Sequence, residues 1–135
     1  MDLETLNFRE LPMSGFSGTR GDGVININGF TGVDKEDGCT DLVFTNFRPS
    51  ADPVTGQVFT DQTAVGGNST IELFRKCSSK EAFEHVRTIA DPAIVTPNRV
   101  AVAEQGGIYL TNDHGQHKIG WVSFVSFWCW QSEEP

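Results

Sequence analysis

The feature that most narrows the fold is a series of short runs in which apolar and polar residues alternate, separated by turn-forming residues. Residues 24–30, 69–75 and 84–90 alternate with period two, and residues 41–47 form a further short β-prone run. Successive side chains of a strand point to opposite faces, so period two marks a half-buried strand, whereas a helix needs a period near 3.6. Pro92 ends the fourth run, because proline has no N–H to give to a ladder. Residues 99–103 and 108–111 flank Gln105-Gly106-Gly107 and read as a hairpin. Residues 118–127 are one more candidate strand, and residues 8–13 a first one, weakened by Pro12. Helical spacing is nearly absent; residues 78–84 offer at most one short turn, with Ser79 as its cap. Residues 48–68 carry little strand character beyond Gln57-Val58-Phe59-Thr60 and read as a long insertion loop.

Short strands with regular turns fit a sandwich, a barrel or a propeller. The ordering favours the last. Four consecutive runs make one four-stranded meander, and the hairpin with the run after it makes a second, shorter one. The fold class expected is therefore all-β: a partial β-propeller of one four-stranded blade plus parts of its neighbours. A length of 135 residues allows one small domain, and a blade buries both faces only between neighbours.

Charge removes several function classes. Ten Lys and Arg against 18 Asp and Glu give a net charge of −8. Such a surface repels polyanions, so neither nucleic acid nor an anionic membrane is an expected partner. The longest apolar run, near the C-terminus, is broken by serines and too short to span a bilayer. No signal peptide is visible in MDLETLNFRE, and the compartment stays open between secreted and cytoplasmic. Cys39, Cys77 and Cys129 are an odd, widely spaced set; three free thiols are expected ahead of one pair with a leftover. The triplet Asn68-Ser69-Thr70 is a glycosylation sequon, which matters only in a secreted chain.

The most informative stretch is Thr96-Pro97-Asn98-Arg99-Val100-Ala101-Val102-Ala103 followed by Gly107-Ile108-Tyr109-Leu110-Thr111-Asn112-Asp113-His114-Gly115. It resembles the paraoxonase/arylesterase family, in the calcium-dependent phosphotriesterase superfamily, and more distantly the gluconolactonase and strictosidine synthase-like six-bladed propellers. There a P-N-x-(V/I)-A-V strand precedes one ending T-N-D-H. Ser69-Thr70-Ile71-Glu72-Leu73-Phe74 is similar to the family's S-T-V-E-L-F strand, and Asn28-Gly29-Phe30-Thr31 to its H-G-(I/F)-(S/T) strand. The likeness is collinear over most of residues 5–120. It stops near Gly120, which divides the chain into a paraoxonase-like part, 1–120, and a divergent aromatic tail, 121–135, and makes the sequence read as a fragment of a larger propeller.

The resemblance implies a calcium-dependent hydrolase of esters or lactones, of arylesterase or lactonase type. Hard oxygen ligands suit calcium, which takes six to eight of them. By resemblance Asn112 binds a catalytic calcium and Asp113 a structural one, with the backbone carbonyl of Phe30 near the structural ion. Read without the family, Asn112-Asp113-His114-Gly115 is a turn. The departures bear on catalysis. The family carries histidine where Asn28 stands and again at Phe47, and neither residue here does acid–base work near neutral pH. Asn28, Phe47 and His114 are therefore expected at a substrate mouth, and no residue is assigned as catalytic. His114 and His117 have a helical zinc spacing, but Gly115 argues against a helix there. His85 reads as a half-exposed strand residue. The partner expected is a small ester or lactone. The alternative is a non-catalytic truncated propeller that acts through self-association or a protein partner, because uncovered strand edges invite pairing.

Overall fold

A computed structural model describes residues 8–18, 23–52, 54–62, 68–103 and 106–113, and the backbone of 126–130. Eight strands follow one another: β1 (Met13–Ser14), β2 (Ile27–Asp34), β3 (Cys39–Asn46), β4 (Thr70–Cys77), β5 (Phe83–Ile89), β6 (Pro97–Val102), β7 (Ile108–Asn112) and β8 (Ser126–Trp130). There is no helix among the described residues, and 78–79 form a simple turn. The strands build two sheets, one in the order β1-β5-β4-β3-β2 and one in the order β6-β7-β8. Neither sheet closes on itself, so the described residues form two packed open sheets and no closed propeller.

Strands β2 to β5 form the antiparallel meander that the four consecutive runs foretell. The sheet then departs from a plain four-stranded blade. Strand β1 pairs in parallel with β5, Met13 opposite Phe83 and Ser14 opposite Glu84, which makes the sheet five-stranded and mixed. Two residues are too few to show any periodicity, so nothing in the sequence marked this strand as parallel. Strands β6 and β7 are the expected hairpin, and Gly106 takes the positive φ of 83° that favours glycine. Strand β8 pairs with β7 and overlaps the 118–127 candidate only at its end; residues 118–125 lie outside the described ones. In the expected 48–68 loop, Gln57-Val58-Phe59-Thr60 makes a single bridge, Val58 to Ala51.

Alternation decides what each face of the large sheet meets. Val43 of β3 and Ile71 and Leu73 of β4 face the second sheet, where Val100, Val102, Ile108 and Leu110 meet them; Ile89 and Ile94 complete the core. Burying a side chain of this size contributes about 1.5–3 kcal/mol. The opposite face carries Phe74, fully buried, with its ring 5.4 Å from that of Phe16, 5.5 Å from Phe44 and 5.0 Å from His85.

The two sheets meet closely at one point. A Cβ on Gly29 of β2 would lie 2.0 Å from the carbonyl oxygen of Asn98 in β6. Backbone fills that space, so only glycine lets β2 lie against β6. Gly29→Ala is expected to lower stability by about 1–3 kcal/mol in urea denaturation, the usual cost of overpacking. A loss under about 0.5 kcal/mol would contradict the close approach.

The cysteines correct the sequence reading. Cys39 and Cys77 stand opposite each other in the β3–β4 ladder and are joined as a disulfide, 38 residues apart in sequence. The outcome is one pair and one remaining cysteine, not three free thiols. Cys129 is in β8, opposite Tyr109. Spacing in sequence could not show that a hairpin register would place 39 against 77.

The insertion loop is tied by Asp52. Its Oδ1 accepts the N–H groups of Thr55 at 2.7 Å and Val54 at 2.9 Å. Those donors, Thr55 first, stabilise the carboxylate and hold the Asp52 carboxyl below its ordinary value of 3.8. A depressed pKa places this contribution above the ordinary carboxylate range and removes it as the pH falls through the lower, folded value. The Val54 and Thr55 amide resonances are expected to move together with a midpoint below 3.8. A midpoint at or above that value would contradict the turn geometry.

Candidate functional site

Two polar centres arise where the ladders are irregular. The first is the seam between β2, β6 and β7. Between Ile27 and Phe30 the register of β2 slips by one residue against β3. The Thr45 hydroxyl enters the slip, accepting the Gly29 N–H at 2.6 Å and donating to the Gly29 carbonyl at 3.0 Å. Strand β6 slips between Pro97 and Arg99, which leaves Asn98 without a partner position in β7. An extra residue of this kind bends a strand and re-aims its side chains. Asn98 Nδ2 donates to Asp113 Oδ1 at 2.5 Å, and Asn28 Nδ2 donates to the Pro97 carbonyl at 3.1 Å. Asn28 and Phe47 line the same open groove of about 540 Å³, with Ile25, Asn26 and Ile27. The Phe47 N–H donates to the Asn26 carbonyl at 2.8 Å and fixes the wall.

The residues implied as calcium ligands behave differently from one another. Asn112 is 3 % exposed, and its side chain clamps the preceding connection. Its Oδ1 accepts the N–H groups of Val95 at 3.1 Å and Thr96 at 3.0 Å, while Nδ2 donates to the Ala93 carbonyl at 3.0 Å. An amide oxygen has two lone pairs, and both are engaged. Asp113 is half-buried and keeps one carboxylate oxygen clear of Asn98. Phe30 is in the β2–β3 ladder opposite Phe44, with its ring exposed. The residue hydrogen-bonded to Asp113 is Asn98, which stands in the quoted motif but was given no role there. Among the described residues no three His, Cys, Asp or Glu side chains gather as a metal site. Among the described residues, what faces a calcium ion is the one carboxylate oxygen of Asp113 that Asn98 leaves clear, since both lone pairs of the Asn112 amide oxygen are engaged. His114 and His117 lie outside the described residues.

The second centre was not legible in any motif. Glu72 of β4 is 2 % exposed, yet its carboxylate has four partners. Oε1 accepts from Thr70 Oγ1 at 2.6 Å and Asn46 Nδ2 at 3.1 Å; Oε2 accepts from Thr88 Oγ1 at 2.5 Å and faces His85 Nε2 at 2.9 Å. A carboxylate only accepts, so the imidazole Nε2 carries the hydrogen. His85 is a partly exposed residue of β5, as the sequence reading has it, and its ring lies beside Phe16 and Phe74. Asn46 Oδ1 in turn accepts the Asn26 N–H at 3.2 Å, which carries the network to the groove wall.

Why these side chains converge follows from one register slip. Thr88 stands opposite Glu72 and His85 opposite Phe74, with Val86 the extra residue between them. Without that slip, positions three apart would face opposite sides of the sheet.

A scan against protein-family models gives no match, and no curated protein matches the sequence. No helix among the described residues is long and apolar enough to cross a membrane.

Proposed function

We propose that this chain is a propeller-type unit of a hydrolase acting on esters or lactones, of arylesterase or lactonase type, and that it is inert as a monomer and works in association with further sheets. The observation that carries this reading is the seam. Asn28 and Phe47 share one groove wall, and Asn98 with Asp113 lies where β2 packs on β6. A blade of the resembled family would present its inner strands in this way. The chain's own contribution is positional: a groove without a titratable side chain in its lining and one half-free carboxylate at Asp113. Calcium is proposed as the cofactor of the assembled form only, with Asp113 as this chain's ligand. Asn112 would keep its clamping role.

Association has its own support in the exposed apolar side chains Val24, Ile27 and Phe30, all on β2 or leading into it. Strand β2 is the edge of its sheet, and an apolar edge offers unpaired backbone to another chain. The test is to assay phenyl ester and lactone hydrolysis across size-exclusion fractions, with calcium and with a chelator. Calcium-dependent turnover is expected in the assembled fractions alone, and lost in Asp113→Ala. Turnover by the monomer would contradict the need for assembly. No turnover in any fraction would overturn the hydrolase reading.

A further inference from the structure

We infer that Asn68 carries an N-linked glycan, transferred before strand β4 docks onto the sheet. Asn68-Ser69-Thr70 is the single Asn-X-Ser/Thr triplet in the chain. Two independent observations make it a site. The first is the Cys39–Cys77 disulfide, whose second cysteine ends the strand that Thr70 begins. Such bonds form and persist in oxidising compartments, which include the lumen where sequons are glycosylated. The second is the state of Asn68 itself. It is half-exposed, at the point where the chain enters β4, and no hydrogen bond to a described residue holds its amide. The side chain can be modified without breaking a contact.

The rest of the triplet sets the order of events. Thr70 is 1 % exposed and donates to Glu72 Oε1 at 2.6 Å; Ser69 is 5 % exposed and donates to the Val95 carbonyl at 3.1 Å. A transferase has to reach the threonine hydroxyl as well as the asparagine, so the folded chain is not a substrate. Transfer therefore precedes the docking of β4, which also brings Cys77 to Cys39. In the reaction a bond forms between Asn68 Nδ2 and the anomeric carbon of a polyprenyl-pyrophosphate-linked oligosaccharide. The sugar–phosphate bond breaks, the lipid pyrophosphate leaves, and the amide loses one proton.

The test is intact-mass analysis of the protein isolated from its source cells, before and after peptide-N-glycosidase, with peptide mapping of residue 68 and of the Cys39–Cys77 link. The expected result is a mass that falls on enzyme treatment, with the excess mapped to the peptide that contains Asn68. Enzyme treatment should remove the excess and convert Asn68 to aspartate, in molecules that also carry the disulfide. The Asn68→Gln variant, expressed in the same cells, should fold and run at the mass of the enzyme-treated protein. Unmodified Asn68 in the isolated protein would overturn the inference, whether or not the disulfide is present. Enzymatic glycosylation of the folded, unmodified protein in vitro would overturn the proposed order.

Discussion

Replacing Glu72 with alanine is expected to destabilise the chain by about 2–4 kcal/mol, because buried donors that meet its carboxylate lose their acceptor. The carboxylate is the common acceptor for Thr70, Asn46, Thr88 and His85, on β4, β3 and β5. Without it Thr70, Asn46, Thr88 and His85 each lose one acceptor; Thr70 and Asn46 are buried while Thr88 is exposed, and an unsatisfied buried donor costs about 1–3 kcal/mol. Glu72→Gln is expected to fall between, because the amide oxygen still accepts on one side while its NH₂ faces two donors on the other. Urea denaturation at neutral pH measures both, with Glu36→Ala, on an exposed turn, as the control expected within about 0.5 kcal/mol of the parent. A loss under about 1 kcal/mol for Glu72→Ala would show that the network does not hold the sheet.

Removing the Cys39–Cys77 link, by the double change Cys39→Ser and Cys77→Ser or by reduction, is expected to cost about 4 kcal/mol. That figure follows from the entropy of freeing a loop closed over a separation of 38 residues. The closed loop contains the whole 48–68 insertion, so the bond restricts that segment in the unfolded chain. Small domains are stable by only about 5–15 kcal/mol, so the loss is a large share. The denaturation midpoint should fall sharply in reductant and match that of the double variant. An unchanged midpoint would mean that the bond does not constrain the unfolded chain.

Regular strands were legible in the sequence, and the irregular places were not. The run at 24–30 marks β2, yet the strand continues to Asp34, because Thr31, Gly32 and Val33 pair with Val43, Leu42 and Asp41. Period two cannot report that continuation through glycine. The hairpin of β6 and β7 was legible from its flanking runs and its glycine turn. Each polar centre, by contrast, depends on one extra residue in a ladder. Strict alternation over 84–90 separates His85 from Thr88, and the slip at Val86 brings both to Glu72. Strict alternation also gives Asn98 no special place, and the slip in β6 leaves it against Asp113. A register slip depends on the partner strand and leaves no trace in the strand's own pattern. The Asn112-Asp113 pair was legible as a motif, but the hydrogen bonds that Asn112 makes to Val95, Thr96 and Ala93 were not. Whether an amide binds an ion or clamps a loop depends on which N–H groups the fold brings to it.

The measurement that tests this account most directly is a calorimetric titration of calcium into the monomeric chain. Asn112 clamps the Val95–Thr96 connection with both lone pairs of its amide oxygen, and among the described residues here Asp113 alone is too few oxygens for calcium. The account predicts no saturable heat in the micromolar range. A one-site isotherm of micromolar affinity, abolished by Asp113→Ala, would contradict it and would mean that a single chain assembles the ion's full set of ligands.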